Sequence, residues 1–142
     1  MSNFVTLSSQ IVAKVVANSN FDSGAVFDYE PEIDGITQDP FATVIPSGNA
    51  SDYGSTSENR RTYAFKVRIF IERNTRGNSA ADTLLRTIID ALINAFDQDI
   101  TLGGNALMVL AAPSEWGYVQ GAKEYRTAEI NIQAKVWFDT TA

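Results

Sequence analysis

Two long strand patterns that bracket one amphipathic helix constrain this chain most. Thr62–Glu72 and Glu124–Phe138 alternate over 11 and 15 residues, whereas a strand in a globular protein usually runs ~5–6. In the first, Tyr63, Phe65, Val67, Ile69 and Ile71 share a face, and Ala64, Lys66, Arg68, Phe70 and Glu72 take the other. In the second, Ala128, Ile130, Ile132, Ala134, Val136 and Phe138 read as the core face, and Thr127, Glu129, Asn131, Gln133, Lys135 and Trp137 as the wet face. Between them, over Ala80–Asp97, the residues Ala81, Leu84, Leu85, Ile88, Ile89, Leu92, Ile93 and Phe96 form one stripe at helical spacing. That stripe fits a helix lying on a sheet. Strands this long reach beyond what a small core covers on both sides, so the pattern predicts surface that another chain covers.

The rest of the chain completes the outline. Phe4, Leu7, Ile11 and Val15 predict a first helix over residues 4–17 with Asn3 as its cap. Ala25–Asp39 is acidic, contains Pro31 and Gly35, and reads as an extended connection. Phe41–Ile45 reads as a short strand between Pro40 and Pro46, a placement that suits a sheet edge. Residues 47–59 are polar and of low complexity and read as a flexible loop, because Tyr53 is their one apolar anchor. Ser79 with Asp82 three residues on has the form of a capping box. Asp82 is also spaced to pair with Arg86 along the helix. Leu107–Ala112 reads as a short buried strand and Pro113–Gly121 as a loop carrying Trp116 and Tyr118. The order helix–strand–strand–helix–strand–strand predicts a single α+β domain over residues 1–142. Its expected form is a two-layer sandwich, with two helices packed on one face of a mainly antiparallel four-stranded sheet.

Composition narrows the chemistry. The chain has no histidine and no cysteine, so neither a Ser-His-Asp nor a Cys-His arrangement nor a thiolate zinc site can be assembled from it. No Gly-x-x-x-x-Gly-Lys phosphate loop occurs, and Gly103-Gly104 is not followed by the basic residue one needs. The expectation is a non-enzymatic protein without a cofactor. The longest apolar run, Ala106–Ala112, is far shorter than the ~20 residues of a membrane-spanning helix.

Charge is unevenly placed. The net charge is −6, which argues against a broad nucleic-acid-gripping surface. Residues 1–59 hold eight acids against Lys14 alone, and six of the eleven bases then crowd into Arg60, Arg61, Lys66, Arg68, Arg73 and Arg76. An acidic half and a basic band either neutralise each other within one molecule or meet head to tail between copies. The densest acidic run is Asp28, Glu30, Glu32 and Asp34. Matching Glu30, Glu32, Asp34 and Gly35 to the first, third, fifth and sixth positions of a calcium loop puts Phe41 where a bidentate Glu is required. The run reads instead as a solvated edge or a patch for an Arg-rich neighbour, with Arg60, Arg61 and Arg68 as candidate counterparts. Trp137, an aromatic on an otherwise polar strand face, joins Trp116 and Tyr118 as a candidate interface residue.

The segments RTYAFKVRIFIER (Arg61–Arg73), AADTLLRTIIDAL (Ala80–Leu92), TLGG (Thr101–Gly104), WGY (Trp116–Tyr118) and AEINIQAKV (Ala128–Val136) together resemble tail-terminator, or tail-completion, proteins of long-tailed bacteriophages. The resemblance covers the C-terminal part of the chain and carries no catalytic motif. It implies a homo-oligomeric ring, expected to be a hexamer, that caps the tail tube, ends its polymerisation and joins the tail to the head connector. The implied partners are the tail-tube protein and a connector or neck protein, with genomic DNA passing unread through the lumen, where an acidic wall would repel phosphate. The implied location is the virion tail or neck, after assembly in the host cytoplasm and without a membrane. Two alternatives remain: another phage neck or tail-tube ring protein, or a small ligand- or partner-binding module of the dimeric sensor type.

Overall fold

The computed structural model describes residues 3–22, 24–32, 36, 38–53, 58–74, 77–104, 106, 108–120 and 123–139, with side chains throughout except at 3, 49–53, 58–60 and 137–139. The class is α+β. Helices α1 (Asn3–Val16) and α2 (Asn78–Gln98) accompany strands β1 (Val26–Phe27), β2 (Phe41–Tyr53), β3 (Glu58–Glu72), β4 (Met108–Gln120) and β5 (Glu124–Asp139). The sheet has five strands rather than the expected four, in the order β1-β2-β3-β5-β4. It is mixed, because the two-residue β1 runs parallel to β2 while every other pair is antiparallel. A strand that short leaves no periodicity for a sequence pattern to register.

One sheet face carries the main core. Tyr63, Phe65, Val67, Ile69 and Ile71 of β3 lie opposite Ala134, Ile132, Ile130, Ala128 and Arg126 of β5, and all of these but Arg126 are buried. Phe4 of α1 meets Tyr63 edge-on at 4.7 Å and Phe65 at 5.8 Å. Helix α2 buries Ala81, Leu85, Ile88, Ile89, Leu92 and Phe96 of the predicted stripe, and Leu84 and Ile93 pack partly buried against the core. Arg126, on that same face by register, bonds Asp82 of α2. Both helices therefore pack on this side.

The other face holds an unexpected second core at one end. Phe70, assigned by alternation to the polar side, is only 3% exposed. Its ring stacks on Phe41 at 4.6 Å, Tyr125 closes the group at 5.4 Å from Phe41, and Phe27 stands at 6.3 Å. The connection after β1 lies over this end. Glu30 from it shares a cleft with Thr43, Arg68 and Glu129, and Asp39 accepts the Glu72 backbone N–H at 3.0 Å.

Several local expectations are corrected. The expected loop at 47–59 is strand at 47–53 and 58–59, where β2 and β3 pair out to Tyr53 and Asn59. Backbone pairing substitutes there for the apolar anchors the segment lacks. Pro46 lies at a register shift in β2, where a missing N–H costs little. The expected loop from Pro113 is strand β4 as far as Gln120, with a second shift between Pro113 and Trp116. The Ser79–Asp82 capping box does not form: Gly77 is the N-cap, at φ 84°, with no side-chain capping bond. Asp82 turns to Arg126 instead of capping or pairing with Arg86. No described helix is long and apolar enough to cross a membrane.

Candidate interface and charged cleft

Edge strand β4 presents the candidate aromatics. Trp116 and Tyr118 pair in register with Ala128 and Arg126 and are 43% and 59% exposed. Arg126 is fixed from two sides: its Nε donates to Asp82 Oδ1 at 2.7 Å and an Nη to the Gly117 carbonyl at 2.8 Å. Its guanidinium carbon lies 4.5 Å from the Tyr118 ring centre and 5.7 Å from that of Trp116. Arg73 approaches Tyr118 equally closely, at 4.5 Å, while its own Nε donates to Asn78 Oδ1 at 2.9 Å. All three distances fall inside the ~6 Å reach of a cation–π contact. Two anchored cations thus hold Tyr118 in place although most of it faces water. Met108 and Leu110, 39% and 46% exposed, extend the apolar character of the same strand.

Arg68 pairs within its own subunit. It sits opposite Glu129 on the neighbouring strand; its Nε donates to Glu129 Oε1 at 3.1 Å, and one Nη completes the ion pair 2.8 Å from the same oxygen. Glu129, read as wet from the alternation, is 6% exposed, and its Oε2 is buried with no hydrogen-bond partner among the described residues. Glu129 and Arg68 divide two clefts. One, of about 240 Å³, is lined also by Glu30, Thr43, Ser47 and Lys66; the other, of about 110 Å³, is backed by Trp116, Gly117 and Tyr118. The structure therefore brings Glu30 and Arg68 together inside one molecule. Nothing local in the sequence signals this, since opposite charges on distant strands become neighbours only once the register is known.

The remaining candidates are placed as follows. Asp28, Glu30 and Glu32 are exposed in the connection after β1, and Asp34 lies outside the described residues. Arg61 is half-buried; the side chains of Arg60 and Trp137 lie outside the described ones. Among the described residues no three acidic side chains converge as a metal site would need. Elsewhere, Lys14 of α1 donates to Asp99 Oδ2 at 2.9 Å just past the end of α2. That bond first, and then the Gly103 N–H, hold the Asp99 carboxyl below its ordinary pKa. Compared with known proteins, the chain matches no protein-family model and no curated protein.

Proposed function

We propose that this chain is a structural virion protein that assembles into a ring, caps a phage tail tube, ends its polymerisation and joins the tail to the head connector. The observation that carries this reading is β4, a 13-residue edge strand whose exposed side chains include Met108, Leu110, Trp116 and Tyr118. Pro113 and the register shift beside it blunt the middle of this edge, so the reading rests on its exposed aromatics, the residue type that interface centres favour. The segment likeness to tail terminators supplies the identity of the ring. The partners are a tail-tube protein on one side and a connector or neck protein on the other. Lys66 stands on the sheet face away from the helices and is exposed. A lumen that repels DNA is therefore better lined by another surface. Counting copies per isolated tail by quantitative mass measurement tests the proposal: a closed small ring, expected to be six, supports it, and a copy number incompatible with any ring removes it.

A second reading has one specific observation in its favour. The charged cleft at Glu129 has the form of a small ligand site, which suits a binding module. A stable dimer of the purified protein that is excluded from tails would favour that reading.

A further inference from the structure

Glu129 holds a carboxylate oxygen that the fold does not use. An Arg–carboxylate pair commonly engages both oxygens in a fork, yet here both donor nitrogens of Arg68 meet Oε1. Oε2 exposes less than 1 Å² and accepts no hydrogen bond from the described residues. A buried acceptor left in that state costs ~1–3 kcal/mol, and more when it is charged. Arg68 is 43% exposed along its side chain and keeps N–H donors beyond those that face Oε1.

The surrounding cleft decides what kind of group would satisfy both. Its charged lining is Glu30, Lys66, Arg68 and Glu129, two acids and two bases. A simple cation would gain Glu129 but meet Lys66 and Arg68. A simple anion would gain those bases but meet the carboxylates. A neutral molecule with one charge of each sign meets neither objection. At about 240 Å³ the space lies below the ~300–1,000 Å³ of drug-sized sites, so it admits a small molecule only. Thr43 and Ser47, also in the lining, supply hydroxyls.

We propose that this cleft binds a small zwitterion of the α-amino-acid class, with its ammonium donating to Glu129 Oε2 and its carboxylate accepting from Arg68 and Lys66. The ligand reaches Oε2 as the half-exposed Arg68 side chain shifts, a movement that exposed side chains make within nanoseconds. The site stands apart from the ring reading: copies per tail and ligand binding are separate measurements, and either can fail alone.

The test is an NMR titration of the purified protein with L-serine and L-glutamine, with methylammonium and acetate as single-charge controls. The amino acids should shift the backbone amides of Thr43, Lys66, Arg68 and Glu129 saturably, with a Kd of about 1 mM or tighter, and the controls should bind at least about tenfold more weakly. Glu30→Gln and Lys66→Ala alter exposed side chains; each should weaken binding by about tenfold while the rest of the spectrum stays in place. No saturable shift with either amino acid overturns the proposal. So does equal binding of methylammonium or acetate, or unchanged affinity in both variants.

Discussion

At the scale of single residues, the Arg68–Glu129 pair shows how burial reassigns a charge. Glu129 alternates with Thr127 and Asn131 on a strand face that reads as polar, yet it is 6% exposed. Among the described residues the carboxylate depends on Arg68 alone. Arg68→Ala should leave Glu129 buried with neither oxygen bonded, a cost of ~1–3 kcal/mol. The lower end applies, because Arg68 is 43% exposed and solvent screens the pair. Arg68→Met combined with Glu129→Leu should recover most of that loss, since an apolar replacement removes the desolvation cost along with the attraction. Urea denaturation of the single and double variants measures both. A single variant within about 0.5 kcal/mol of wild type, the usual range for plain surface changes, would show that water already solvates Glu129.

Elements, one scale up, were legible where their signal is local. The α2 stripe and the alternation of β3 and β5 hold because one buried face imposes its period on the sequence. Residues 113–120 were not legible: Pro113 and Gly117 are local breakers, and pairing with β5 overrides them. The polar 47–53 stretch is strand for the same non-local reason, and the second core behind Phe70 needed three further aromatics from other elements. The link between the helices is likewise non-local, with Lys14 and Asp99 lying 85 residues apart. The folded Asp99 pKa lies below the unfolded value of ~3.9. Its contribution to stability is therefore present above that value and is lost as pH falls through the lower, folded pKa. Asp99→Asn should be less stable than wild type by a constant amount from neutral pH down to about pH 4, and the gap should close below it. Denaturant titrations at a series of pH values check this, and a gap that does not vary with pH would mean the ion pair contributes nothing.

For the whole molecule, the decisive asymmetry is that both helices cover one sheet face while β4, among the described residues, has a strand partner on one side only. Burial within the subunit does not explain why Trp116 and Tyr118 stand on that edge, or why Arg73 and Arg126 are bonded in place beside them. The proposed assembly accounts for both, because a side chain already held in its bound position gives up little freedom on docking. Replacing both aromatics with alanine separates the two roles. Lost cation–π contacts at exposed sites cost the subunit about 0.5–1 kcal/mol each, whereas truncation at an interface centre often costs ~2 kcal/mol or more per residue. The double variant should thus stay folded, with a modestly lowered melting temperature, and should enter tails far less efficiently. Val5→Ser, a change on the exposed side of α1 at a residue 62% exposed, serves as the surface control and should assemble normally. Melting of the isolated subunit, paired with copies per tail for all three proteins, gives the answer. If the double variant melts near wild type and still enters tails at full copy number, the β4 rim is not where copies or partners meet.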